Sequence, residues 1–149
     1  MQGNNTSTLA AQALDLLTQQ HELLEAVGRL CSAQSRLIDE DESEDLIAVI
    51  EQRGLILDQA TALTDQIDRA VAAVPTSDAA LPQINQRRSA VAELARAIAR
   101  SDAADTKRMT AKRDELAAAI ASMNTNRAAT GAYQADRSPR GPGFQDTSA

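Results

Sequence analysis

Leucines recur every seven residues near the start of the chain, at Leu9, Leu16, Leu23, Leu30 and Leu37. Leu17, Leu24, Cys31 and Ile38 follow them by one position, and Ala13, Gln20, Val27 and Gln34 form a third, weaker row. A seven-residue apolar period marks an amphipathic helix. With the leucines placed at d, the stripe is d plus e with a thin a row, wide enough to face two neighbours rather than one. The spacing predicts a first helix over 8–39, roughly 45–50 Å long at 1.5 Å per residue. Residues 1–7 carry no such pattern and are expected to be disordered.

Asp39-Glu40-Asp41-Glu42-Ser43-Glu44-Asp45 interrupts the stripe. It lacks the glycine and alternating spacing of a calcium loop. It reads as a turn followed by an acidic first helical turn, which suits the positive end of a helix dipole. A second helix is predicted over 43–74, with Leu46, Arg53, Ala60, Ile67 and Val74 in one row and Val49, Ile56, Leu63 and Ala70 in the next. It ends at Val74-Pro75, where proline removes a ladder donor. Thr76-Ser77-Asp78 then offers a fresh N-cap. A third helix is predicted over 82–130, since no glycine or proline occurs from Gln83 to Thr130. Its apolar row runs Ile84, Val91, Ile98 and then jumps eleven residues to Met109, Leu116 and Met123. That jump reads as a stutter, centred on Asp102–Asp105, where the helix either continues or divides.

The expected fold is all-α: an elongated antiparallel helical hairpin plus a long third helix, forming a three-helix coiled-coil bundle with a disordered C-terminal tail. Composition agrees. Of 64 apolar residues 30 are alanine, there is no tryptophan, and the only aromatics are Tyr133 and Phe144. Leu, Ile, Val and Phe make 29 of 149 residues, just under the ~20% below which a packed core becomes hard to build. A thick core or a β-sandwich is excluded; thin helices remain.

Several chemistries drop out. One cysteine and one histidine make neither a disulfide nor a zinc site, and the glycines form no phosphate-binding loop, so neither a cofactor nor an enzyme activity is expected. His21 on a long helix raises phosphotransfer, but Glu22 and Glu25 flank it and its heptad position b faces water. No run of apolar residues is long enough to insert in a membrane. The N-terminus has no basic head followed by an apolar stretch, so the expected location is cytoplasmic.

The net charge of −6 argues against nucleic acid as a partner. Arg87-Arg88 and Lys107-Arg108 with Lys112-Arg113 lack interleaved aromatics. Charge is uneven: residues 41–75 sum to −6 and residues 76–130 to +3, which favours an acidic second helix beside a basic third. Residues 131–149 are rich in Gly and Pro and are expected to form a flexible tail. Its two aromatic residues, Tyr133 and Phe144, are chance occupants of a disordered end or a short docking motif.

Taken together, Leu17-Thr-Gln-Gln-His-Glu-Leu-Leu-Glu25, Gln34-Ser-Arg-Leu-Ile38, the acidic break, Leu46-Ile-Ala-Val-Ile-Glu-Gln-Arg53 and Ile56-Leu57 resemble the FlgN-like flagellar export chaperones. The likeness is strongest across Leu16–Ile67, weaker through the third helix, and ends with Ala132-Tyr133. It implies a type III export chaperone, without catalytic activity, whose third helix holds the C-terminal amphipathic segment of a flagellar hook-associated (junction) protein. It further implies that Tyr133 takes part in docking to the cytoplasmic domain of the export gate. The alanine-rich third helix, with Ala117-Ala118-Ala119, departs from the pattern by presenting a shallow surface.

Physical reasoning points the same way. Helices of 45–50 Å are too short to cover a third helix of roughly 70 Å. Ile98, Met109, Leu116, Ile120 and Met123 are therefore the candidate substrate-binding residues, with packing on the first two helices as the competing reading, strongest for Ile98. The other reading of the whole chain is a non-flagellar coiled-coil adaptor or a structural homodimer.

Overall fold

A computed structural model describes residues 3–137, with side chains described over 8–134. Four α-helical segments and no strand make up the described residues: α1 (Gly3–Asp39), α2 (Ser43–Ala62), α3 (Thr64–Ala72) and α4 (Leu81–Arg137). The all-α reading therefore holds, with α2 and α3 together filling the expected second helix. The described residues separate into two units after Arg108. The three-helix packing belongs to the first.

The turns follow from local chemistry. At the end of α1 the Glu42 N–H donates to the Leu37 carbonyl (3.2 Å) and the Asp41 N–H to the Ile38 carbonyl (3.4 Å). This paired closure is a Schellman motif, which requires a left-handed residue at its corner. Asp41 supplies it, with φ 56°. Aspartate tolerates that region better than most residues, although glycine is the usual choice. No side chain caps α2, but Glu44 and Asp45 lie in its first turn, where carboxylates face the exposed N–H groups. After Val74-Pro75 the chain turns again. Asp78 Oδ1 accepts the Ala80 N–H at 2.8 Å, an Asx turn just ahead of α4 rather than a cap on its first turn, and Pro82 sits where no donor is needed.

Three boundaries differ from the sequence expectation. Helix α1 begins at Gly3, not residue 8. The expected second helix is divided at Leu63, whose N–H reaches back only three residues, to Ala60 (3.3 Å), before the ladder resumes from Ile67 to Leu63 (2.9 Å). Gln20 of α1 supports this tightened turn, its Nε2 donating to the Ala60 carbonyl at 3.0 Å and to Thr64 Oγ1 at 3.3 Å. Helix α4 begins at Leu81, is continuous through Asp102–Asp105, and continues through Gly131 to Arg137. A flexible tail therefore does not start at 131: one glycine costs only about 1 kcal/mol, and Ala128, Ala129 and Ala132 surround it. Residues 138–149, Phe144 among them, lie outside the described residues.

The core consists of two apolar layers. Ala10, Ala13 and Leu17 of α1 pack with Ile67, Val74 and Ile84. Farther along, Leu24, Val27 and Cys31 pack with Ala60 and Ile98. The buried seam of α1 thus runs through the e row (Ala10, Leu17, Leu24, Cys31, Ile38) and the a row (Ala13, Gln20, Val27, Gln34). The a row expected to be weak is buried throughout. Of the leucines placed at d, only Leu37 is buried; Leu9, Leu16, Leu23 and Leu30 are half-buried flanks. The reason is spacing: e and a alternate by three and four residues, the interval that keeps a seam pointed at its neighbours. Small residues at Ala10 and Ala13 narrow the gap they face.

Candidate functional site

Past the second apolar layer the same seams meet as polar residues. Gln34 of α1, Arg53 of α2 and Asp105 of α4 occupy core positions one heptad beyond Val27, Ala60 and Ile98. The Arg53 guanidinium donates to Gln34 Oε1 (3.1 Å) and pairs with Asp102. Asp105, 2% exposed, accepts from Gln34 Nε2 (3.0 Å) and from Ser35 Oγ (2.8 Å). Arg108 closes the layer, pairing with Asp39 (2.8 Å) and Asp105 (3.4 Å) and donating to the Ser35 carbonyl. Two atoms, Arg53 Nε and Asp102 Oδ1, are buried without a partner.

This layer places the four-residue step of the stutter between Asp105 and Met109. The row Ile84, Val91, Ile98 reaches Asp105 on the next heptad without a break. Asp105, in the stretch on which the stutter is centred, is one of the most buried side chains. A buried carboxylate is tolerated there because each oxygen is hydrogen-bonded and Arg108 lies 3.4 Å away. Sequence reasoning missed Gln34, Arg53 and Asp105 as a set. The available signal was that all three interrupt an apolar row at equivalent depth.

Burial on the α4 row divides cleanly. Ile98 is buried against Leu24, Val27, Cys31 and Ala60. Its candidacy as a substrate-binding residue is overturned, because its apolar surface is already covered by α1 and α2. Met109, Leu116, Ile120 and Met123 are between 44% and 62% exposed, as is Tyr133 at 57%. At 100° per residue the first four fall within about 60° of one another on α4, so they form one stripe. Large aliphatic and thioether side chains aligned in this way are a surface that a second amphipathic helix fits. Tyr133 follows on the same helix, not in a flexible tail.

The remaining chemistry is sparse. Among the described residues no group of three or more His, Cys, Asp or Glu is placed to hold a metal ion, and no helix is long and apolar enough to cross a membrane. His21 is half-buried rather than facing water; its Nδ1 lies 3.3 Å from Glu25 Oε1. It lines an open cleft with Glu25, Glu93, Arg96 and Arg100, so two cations stand against two carboxylates there. Cys31 is buried. Burial pushes its thiol above the ordinary value, Arg53 pulls it down, and Asp102 and Asp105 push it up further. It is a core residue with suppressed thiolate character.

The chain matches no family model, no curated protein and no solved structure.

Proposed function

We propose that the protein is a non-catalytic binding protein that takes up an amphipathic helix along Met109, Leu116, Ile120 and Met123 of α4. The observation that carries this reading is the exposure of those four side chains on one face. Apolar side chains aligned on a helix are a liability in water, and a partner helix removes them from it. The resemblance to FlgN-like proteins supplies the specific form: a chaperone for a flagellar hook-associated protein, with Tyr133 docking to the export gate.

Calorimetry on the full chain with a peptide from the C-terminus of a hook-associated protein tests this. Binding at micromolar concentrations is expected. Leu116→Ser should weaken it about tenfold, the loss of roughly one aliphatic contact. Absence of binding at tens of micromolar defeats the chaperone reading. Tyr133→Ala should leave peptide affinity intact and reduce export in a flagellated host; a fall in affinity would instead place Tyr133 in the peptide groove. A coiled-coil adaptor of another kind would bind no such peptide.

A further inference from the structure

A second uncovered apolar face lies on α2, in the first unit. Ile47 and Ile50 are 58% and 42% exposed and lie about 60° apart around the helix; Leu55, also exposed, points about 140° away from Ile50. Their helix is held by its other side, where Leu46, Val49, Arg53 and Ile56 are half-buried and Ala60 is buried. Ile47, Ile50 and Gly54 stand at i, i+3 and i+7, the spacing with which a helix presents one face to another. A Cβ added at Gly54 would meet nothing within 4 Å, so the face is flat there and a partner backbone can come close.

Charge states what kind of partner. From Asp39 to Asp58 the chain has eight carboxylates and one cation, Arg53. Arg53 is turned inward to Gln34 and Asp102. Asp39 and Glu40 are engaged by Arg108 and Arg36. Glu44 and Asp45 have a local reason to be acidic, since they lie in the first turn of α2. Glu51 and Asp58 have none. They lie within about 40° of Ile47 around the helix, are exposed, and among the described residues have no ion pair. Isoleucines ringed by unpaired carboxylates repel anionic lipid and nucleic acid. A second copy of this chain is a poor match, because the α4 stripe balances Lys112 and Arg113 against Asp114 and Glu115.

We propose that this face of α2 docks a basic amphipathic helix of another protein, with aliphatic side chains over Ile47, Ile50 and Gly54 and lysines or arginines against Glu51 and Asp58. Contacts of this kind give register through the apolar anchors and fast, salt-sensitive association through the charges. The proposal stands independently of what the α4 stripe binds.

The probe is a lysine-rich amphipathic peptide of about 18 residues with leucines at heptad spacing, titrated into the full chain and compared with its glutamate-substituted counterpart. The lysine peptide should bind and the glutamate peptide should not. Ile47→Ser/Ile50→Ser and, separately, Glu51→Lys/Asp58→Lys should each weaken binding about tenfold or more. Both substituted pairs are exposed, and circular dichroism should show the helix content unchanged. Failure of the lysine peptide to bind overturns the proposal. So does unchanged affinity in either double variant, because the peptide is then held by bulk charge elsewhere. Sedimentation of the chain alone supplies the third arm. Self-association lost in Ile47→Ser/Ile50→Ser would make the face an interface between copies and overturn the proposal; a monomer at all concentrations agrees with it.

Discussion

The two halves of α4 are nearly equal in length and carry equal apolar supply. Leu81, Ile84, Val91, Leu94 and Ile98 lie in the half up to Arg108, and Met109, Leu116, Ile120, Met123 and Tyr133 in the half beyond it. In the first half Ile84 and Ile98 are buried and the other three half-buried; in the second all five are exposed. Burial is therefore not a property of the helix's own sequence but of what stands opposite. Ile84 has Ala13 and Leu17 before it; Leu116 is 62% exposed. The second half is helical for a different reason. Alanine is the most frequent residue of both halves, and because alanine loses the least on entering a helix the second half keeps its helix with its apolar side chains uncovered. Packing holds one half, propensity the other.

The largest effect should come from breaking that contrast. Ile84→Ala empties a fully buried site and should cost about 3 kcal/mol of unfolding free energy. Leu116→Ala removes a side chain already in water and should cost less than about 0.5 kcal/mol. Urea denaturation of the two variants decides the matter. If Leu116→Ala costs as much as Ile84→Ala, the second half has a shield of its own and the docking stripe disappears with it.

A smaller effect isolates the polar layer at the end of the packed half. Arg53→Ala leaves Asp102 and Gln34 without their shared donor. Breaking a fully buried pair costs more, but the Asp102 side chain is 38% exposed, so about 2 kcal/mol is expected. Adding Asp102→Ala should recover part of the loss, because one uncompensated carboxylate goes with it. A double-mutant cycle by denaturation reads this coupling. Strict additivity would mean that the layer is a set of independent surface contacts.

These same residues mark where the sequence was legible and where it was not. Helices α1 and α4, both turns and the exposed stripe follow from apolar period, Pro75, the acidic break and relative helix length, all visible in one dimension. Asp105 was opaque, because a period read from aliphatic residues passes over a polar seam residue; Arg53 stands in the expected row of the second helix, but nothing local shows what it meets there. Their partners come from three helices far apart in sequence, so no local rule reveals that their hydrogen bonds are satisfied. The division at Leu63 was hidden likewise; Gln20, which supports it, reads only as a weak core position. For Ile98 the packing reading, the one the sequence favours most at that position, is what the structure shows, since Leu24, Val27, Cys31 and Ala60 cover it.

The smallest effect sharpens the claim that propensity alone sustains the second half of α4. Gly131 lies within the helix, and a Cβ built on it meets nothing within 4 Å. Gly131→Ala therefore changes backbone freedom and little else, and should stabilise the surrounding turns by about 0.5–1 kcal/mol. In a packed segment such a gain would add to global stability. In a segment that frays without unfolding the bundle it stays local. The expected result is slower amide hydrogen exchange around Arg127–Tyr133, with an unchanged urea midpoint. A midpoint that rises by the full amount would show that the two halves unfold as one, and that the alanine-rich stretch contributes to the packed bundle after all.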